Sequence, residues 1–181
     1  MTVQYLQRPA ANEYAEYYDR YTSLVPESDI LQVLREQLEN VRALIAALPA
    51  EQELRRYAPG KWSIREVMGH LNDVERIFSY RAFTFAHGEA AALPGFEDAD
   101  YVRESNFAQT PLQDLLAHFV ALRQANILLL EQLRETDWAR SGVASDNPVT
   151  VRALVWIMAG HVRHHVKILQ ERYLTASEFG E

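Results

Sequence analysis

Apolar side chains recur in steps of three and four along four stretches of this chain, with mostly polar residues between them. That spacing winds the apolar positions onto one face of an α-helix. The first helix is predicted from about Ser28 to Leu48, burying Leu31, Leu34, Leu38, Val41, Ile45 and Leu48; Glu27, Ser28 and Asp29 mark its start and Pro49 its end. The second is predicted from Ser63 to Ala86, with a stripe of Ile64, Val67, Leu71, Val74 and Phe78. Ser63 and Glu66 have capping-box spacing, in which each side chain satisfies the other's backbone amide. The third begins at Thr110 with Pro111 at the first helical position. Its stripe of Leu112, Leu115, Phe119, Leu122, Leu129 and Leu133 carries one amide, Asn126. The fourth runs from near Thr150 to about Tyr173, and two histidines share its stripe with Leu154, Met158, Ile168 and Leu169.

Four such helices predict an all-α four-helix bundle. Strand signals are scarce, since no stretch alternates with period two between tight glycine turns. Residues 12 to 22 are expected to add a short helix. The implied layout is an N-terminal extension, 1–27, packed on a bundle spanning 28–175, followed by a tail, 176–181. The connection from Gly88 to Gln109 is long for a bundle, which frees the second and third helices from being antiparallel neighbours. Residues 139–149, with Gly142 and Pro148, are expected to form a polar loop.

Composition narrows the chemistry. The 181 residues are 48% hydrophobic and 24% charged, a balance that suits one folded domain. There is no cysteine, so thiolate zinc sites, disulfides and cysteine nucleophiles are excluded, and any metal site must use nitrogen or oxygen donors. The formal net charge of −7 and the absence of a basic stripe disfavour nucleic-acid binding. Met1 to Pro9 lacks the pattern of a signal peptide. No run approaches about 18 uninterrupted apolar residues, so no membrane partner is expected and the cytoplasm is the expected location.

The candidate chemistry lies in the histidines. His161 and His165 are one helical turn apart, about 40° around the axis, in the middle of an apolar stripe. Two imidazoles so placed can chelate one ion; alternatively they are core histidines, each needing its own buried partner. His70 lies at the edge of the second stripe and would supply a third nitrogen, leaving an ion with an open position. Glu66, Asp73 and Asn126 are candidates for orienting the imidazoles, with surface carboxylates and a register-setting amide as the alternative. His164 is a candidate neighbour or proton shuttle, though an exposed bystander is the simpler reading. His87 and His118 receive no role. Trp62 and Trp156 read as packing.

The segment Lys61-Trp62-Ser63-Ile64-Arg65-Glu66-Val67-Met68-Gly69-His70-Leu71-Asn72-Asp73-Val74-Glu75 resembles the first motif of the DinB-like superfamily, W-S-x-x-E-x-x-x-H-L-x-D-x-E. Gly160-His161-Val162-Arg163-His164-His165-Val166-Lys167-Ile168-Leu169 resembles its last, G-H-x-x-H-H-x-x-I-L. The Pro94-Gly95-Phe96-Glu97-Asp98 loop and the third helix are also similar, so the resemblance spans roughly residues 28 to 173. It implies an up-down-down-up bundle and a divalent metal, nickel or zinc, on His70, His161 and His165. It also implies a homodimer and a small-molecule substrate, with thiol S-transferases, thiol-dependent isomerases and metal-dependent hydrolases as precedents. A low-molecular-weight thiol would be the co-substrate in the first case. Three readings follow: a metal-dependent transferase or hydrolase, a non-catalytic metal-binding or stress-response module, and a metal-free helical scaffold.

Overall fold

The computed structural model describes residues 7–174. The expected tail, 176–181, lies outside the described residues. Four long helices dominate: α2 (Ile30–Ala46), α3 (Ile64–Ala86), α5 (Leu112–Glu131) and α7 (Val151–Ile168). Shorter ones are α1 (Asp19–Thr22), α4 (Asp98–Glu104) and α6 (Glu135–Trp138). The helix starts follow the side chains that cap them. Asp29 accepts from the Gln32 amide at 3.0 Å, and Thr150 from the Ala153 amide at 3.0 Å. The predicted capping box forms: Ser63 Oγ accepts from the Glu66 amide, and Glu66 Oε2 from the Ser63 amide at 2.6 Å. Pro111 stands just before α5, one position earlier than predicted, and its carbonyl accepts from the Asp114 and Leu115 amides.

Two hydrophobic clusters reveal the helix directions. One joins the start of α2 (Ile30, Val33, Leu34) and the start of α7 (Val151–Ala159) to the ends of α3 and α5 (Phe78, Phe85, Ile127, Leu130). The other joins the end of α2 (Leu38, Val41, Ile45) and Val162 and Leu169 to the beginnings of α3 and α5 (Ile64, Met68, Leu112, Leu115). Helices α2 and α7 therefore run one way, and α3 and α5 the other. This is an up-down-down-up bundle, and the long connection between α3 and α5 is what lets those two lie parallel.

Three local expectations change. Residues 12 to 22 do not form one helix; they break into 3₁₀ turns at Ala11–Glu13 and Glu16–Tyr18 and then α1. The 88–109 connection contains α4, only seven residues long with Val102 as its buried side chain, too short to show a stripe. The 139–149 segment is not a loop but a β-hairpin, β1 (Ser141–Ala144) antiparallel to β2 (Asn147–Thr150). Its turn residues, Ser145 and Asp146, have φ of 51° and 61°, and the usual glycine signal is missing. The hairpin is held from outside: Leu93 bonds its backbone to Val143 and Ser145, and Gly142 lies so close to the Phe85 ring that a Cβ would sit 2.2 Å from it.

A polar network crosses the core and ties all four long helices together. The Arg123 guanidinium (α5) donates to both Glu75 oxygens (α3) at 2.7 and 2.8 Å and to Gln37 Oε1 (α2) at 2.9 Å. Gln37 donates to the Ala159 carbonyl (α7) at 2.8 Å, and Asn126 to Glu75 at 2.8 Å. Arg123 is 0% and Glu75 1% exposed, so each charge depends on the other for neutralisation.

Candidate metal centre

Helices α3 and α7 run antiparallel, which brings an early position of one beside a late position of the other. His70 comes from the second turn of α3, and His161 and His165 from successive turns of α7. One ring nitrogen from each lies within 4.8 Å of the other two. His70 Nε2 and His161 Nε2 are 3.0 Å apart. Two nitrogens each about 2.0–2.1 Å from one tetrahedral ion lie roughly 3.4 Å apart, so this pair is close to bidentate spacing. The ring centroids are 4.8 Å apart for His70 and His161, 4.9 Å for His70 and His165, and 4.5 Å for His161 and His165.

The surroundings favour neutral rings. His70, His161 and His165 are buried at 2%, 5% and 9% exposure. Burial pushes the His70 pKa down to about 4, and burial with the neighbouring histidines holds His161 and His165 well below the usual imidazole range. Neutral imidazole is the form that donates a lone pair to a metal, so this all-nitrogen donor set fits a divalent transition-metal ion.

The same shifts set how metal-free protein responds to acid. Unfolded imidazoles titrate near about 6.5, whereas buried His70 does so near about 4. Between those values the unfolded chain binds more protons, so stability is full above about pH 6.5 and falls as pH drops toward about 4. Thermal melts of metal-free protein across that window should show the decline, and His70→Ala should flatten part of it. Equal pH dependence in the two proteins would refute the assignment.

Aromatic neighbours restrain the rings. Trp62 packs on His70 with centroids 4.8 Å apart, and Tyr173 at the end of the π-helical turn Leu169–Tyr173 donates to the Trp62 carbonyl at 2.6 Å. Tyr21 packs on His161 at 5.3 Å and on His164 at 5.5 Å. Tyr21 reaches this position because residue 160 is glycine: a Cβ there would lie 2.1 Å from the Tyr21 carbonyl oxygen. Trp62 opens the W-S-x-x-E motif, although the sequence reading took it as packing; Tyr21 carries no motif signal and comes from a segment distant in sequence.

The other candidate residues are arranged differently. Glu66 is occupied by the cap and by Arg56, at 2.7 Å; burial alone would raise its pKa, but the bonds from Arg56 and Ser63 lower it. Asn126 belongs to the Glu75–Arg123 network. Asp73 is partly buried beside Tyr101 and Phe107; burial raises its pKa against the pull of Arg76. His164 is adjacent to the cluster, its ring 5.1 Å from that of His165, and burial, Arg20 and Lys167 hold its pKa down. Two cavities border the histidines. One of about 220 Å³ is lined by His161, Tyr21, Phe78 and Arg81; one of about 350 Å³ is lined by His165, Trp62, Tyr57 and Tyr173.

Known proteins share this arrangement at the level of fold and family. Residues 33–169 match the DinB superfamily. Two curated proteins are similar in sequence, both named "Putative metal-dependent hydrolase". The protein from Geobacillus thermodenitrificans is 25% identical over 139 residues, which is 75% of this chain and 77% of that protein. Its counterpart from Geobacillus kaustophilus is 24% identical over 130 residues, 70% of this chain and 72% of that one. Among solved structures, YfiT from Bacillus subtilis, described as "a probable metal-dependent hydrolase with an unusual four-helix bundle topology", superposes with a TM-score of 0.72 at 20% identity, covering 90% of this chain and 89% of that one. A mycothiol-dependent maleylpyruvate isomerase gives a TM-score of 0.64 at 11% identity, covering 80% of this chain and 61% of its own. The family match takes in α3, α5 and α7 together with all three histidines, and by that match the chain belongs to the DinB superfamily.

Proposed function

We propose that this protein is a metal-dependent enzyme acting on a small molecule, with a zinc or nickel ion held by His70, His161 and His165. The observation that carries the reading is the convergence of three neutral ring nitrogens from two helices beside open cavities. When bound, the ion supplies Lewis-acid chemistry, polarising a coordinated group and acidifying a coordinated water or thiol. The chain supplies the positioning. Trp62 and Tyr21 limit the orientations open to the His70 and His161 rings. The Glu75–Arg123 network fixes the spacing of the helices that carry the histidines. Apolar walls such as Phe78 and Ile157 restrict water around a reacting group on the His161 side.

Hydrolysis is the first reading, in keeping with the names of the sequence relatives. Thiol S-transfer is the second, and the two cavities favour it: a transferase must bring two molecules to one centre, and the cluster has a cavity on its His161 side and another on its His165 side. In either case His164, partly buried beside His165, is the candidate for moving a proton. The test is turnover of activated esters, and of electrophiles offered with free thiols, by protein loaded with zinc or nickel and by the same protein after chelation. Metal-dependent turnover of esters alone supports the hydrolase, and dependence on added thiol the transferase. Turnover unchanged by complete metal removal would rule out both.

A further inference from the structure

Arg81 differs from the other deeply buried cation. Arg123 is neutralised by Glu75. Arg81 is 3% exposed, yet among the described residues no carboxylate is paired with it. Its Nη2 donates to the Pro94 carbonyl at 2.8 Å and to Ser145 Oγ at 3.0 Å, and the guanidinium also donates to the Tyr18 phenol oxygen. The guanidinium carbon lies 5.3 Å from the Phe78 ring centroid and 6.0 Å from that of Phe96. Neutral partners and aromatic faces hold the group in place without cancelling its charge, and a buried charge left that way is costly to the fold. Arg81 is also part of the wall of the 220 Å³ cavity that reaches His161. A planar guanidinium presents paired N–H donors that match a carboxylate. Two exposed acids, Glu97 and Asp98, line the same cavity and would repel a second negative charge.

We propose that this cavity binds a small ligand bearing a single carboxylate, seated on Arg81, with the ligand's reacting end toward His161. A second anionic group is disfavoured by Glu97 and Asp98, and an ammonium group beside them is accepted. The reacting-end assignment rests on the proposed metal-dependent function; anchoring on Arg81 does not require the ion.

The test is calorimetric titration of the full chain, zinc-loaded and chelator-treated, with butyrate, 4-aminobutyrate, succinate and butyramide. Butyrate and 4-aminobutyrate should bind both forms, and succinate and butyramide at least about tenfold more weakly, the scale of a charge-assisted pair. Arg81→Met should weaken butyrate binding by at least about tenfold, and Arg81→Lys should retain part of it. The proposal is overturned if butyramide matches butyrate, if Arg81→Met binds butyrate as the unmodified chain does, or if butyrate does not bind. Zinc content, measured on the same samples, separates failure of the metal reading from failure of this one.

Discussion

Replacing His161 with alanine is expected to abolish metal retention. His161 is the nitrogen donor common to the two closest pairings in the cluster, 3.0 Å from His70 Nε2 and one helical turn from His165. Losing even a partner that merely orients a ligand typically weakens metal binding about 10–100-fold, so loss of a ligand should exceed about a hundredfold. Elemental analysis of protein purified without a polyhistidine tag should find about one ion per unmodified chain and less than about a tenth in the variant. The variant should still fold, because the two hydrophobic clusters and the buried network are built by other residues. Comparing melts then separates two roles. A catalytic ion leaves the melting temperature of the His161→Ala chain close to that of the unmodified protein, while an ion serving mainly to cross-link α3 and α7 would lower it sharply.

Arg123→Met is expected to be the most damaging change in the core. It leaves the Glu75 carboxylate buried without its cation, a loss of about 3–5 kcal/mol. For a domain of this size that lowers the melting temperature by roughly 6–20 °C. The double variant Arg123→Met, Glu75→Leu should recover much of the loss, since an apolar pair avoids the desolvation cost of two charges. A single variant melting like the unmodified protein would show that Glu75 is neutralised otherwise.

The bundle was legible because its helices are long enough for periodicity to accumulate and because Asp29, Ser63 and Thr150 announce their starts. The antiparallel approach of α3 to α7 was legible from the family motifs rather than from spacing, and it is what joins His70 to the α7 pair. The hairpin was not legible: four-residue strands carry little periodic signal, and its turn adopts positive φ at Ser145 and Asp146 without glycine. The Glu75–Arg123 pair was hidden for another reason. Its partners lie on different helices, and a charged residue in a helical sequence reads as solvent-facing until the packing is known. Asn126, the amide on the apolar seam of α5, belongs to that network rather than to the histidines. Tyr21 and Arg81 were not legible because their positions depend on close approach: α1 lying against Gly160, and the 94–97 loop tied to the hairpin.

The most direct measurement is anomalous diffraction at the zinc edge from crystals grown with stoichiometric zinc. Three-histidine coordination predicts one dominant peak at about 2.0–2.1 Å from a ring nitrogen of each of His70, His161 and His165. A peak on surface carboxylates, or none between α3 and α7, would contradict it.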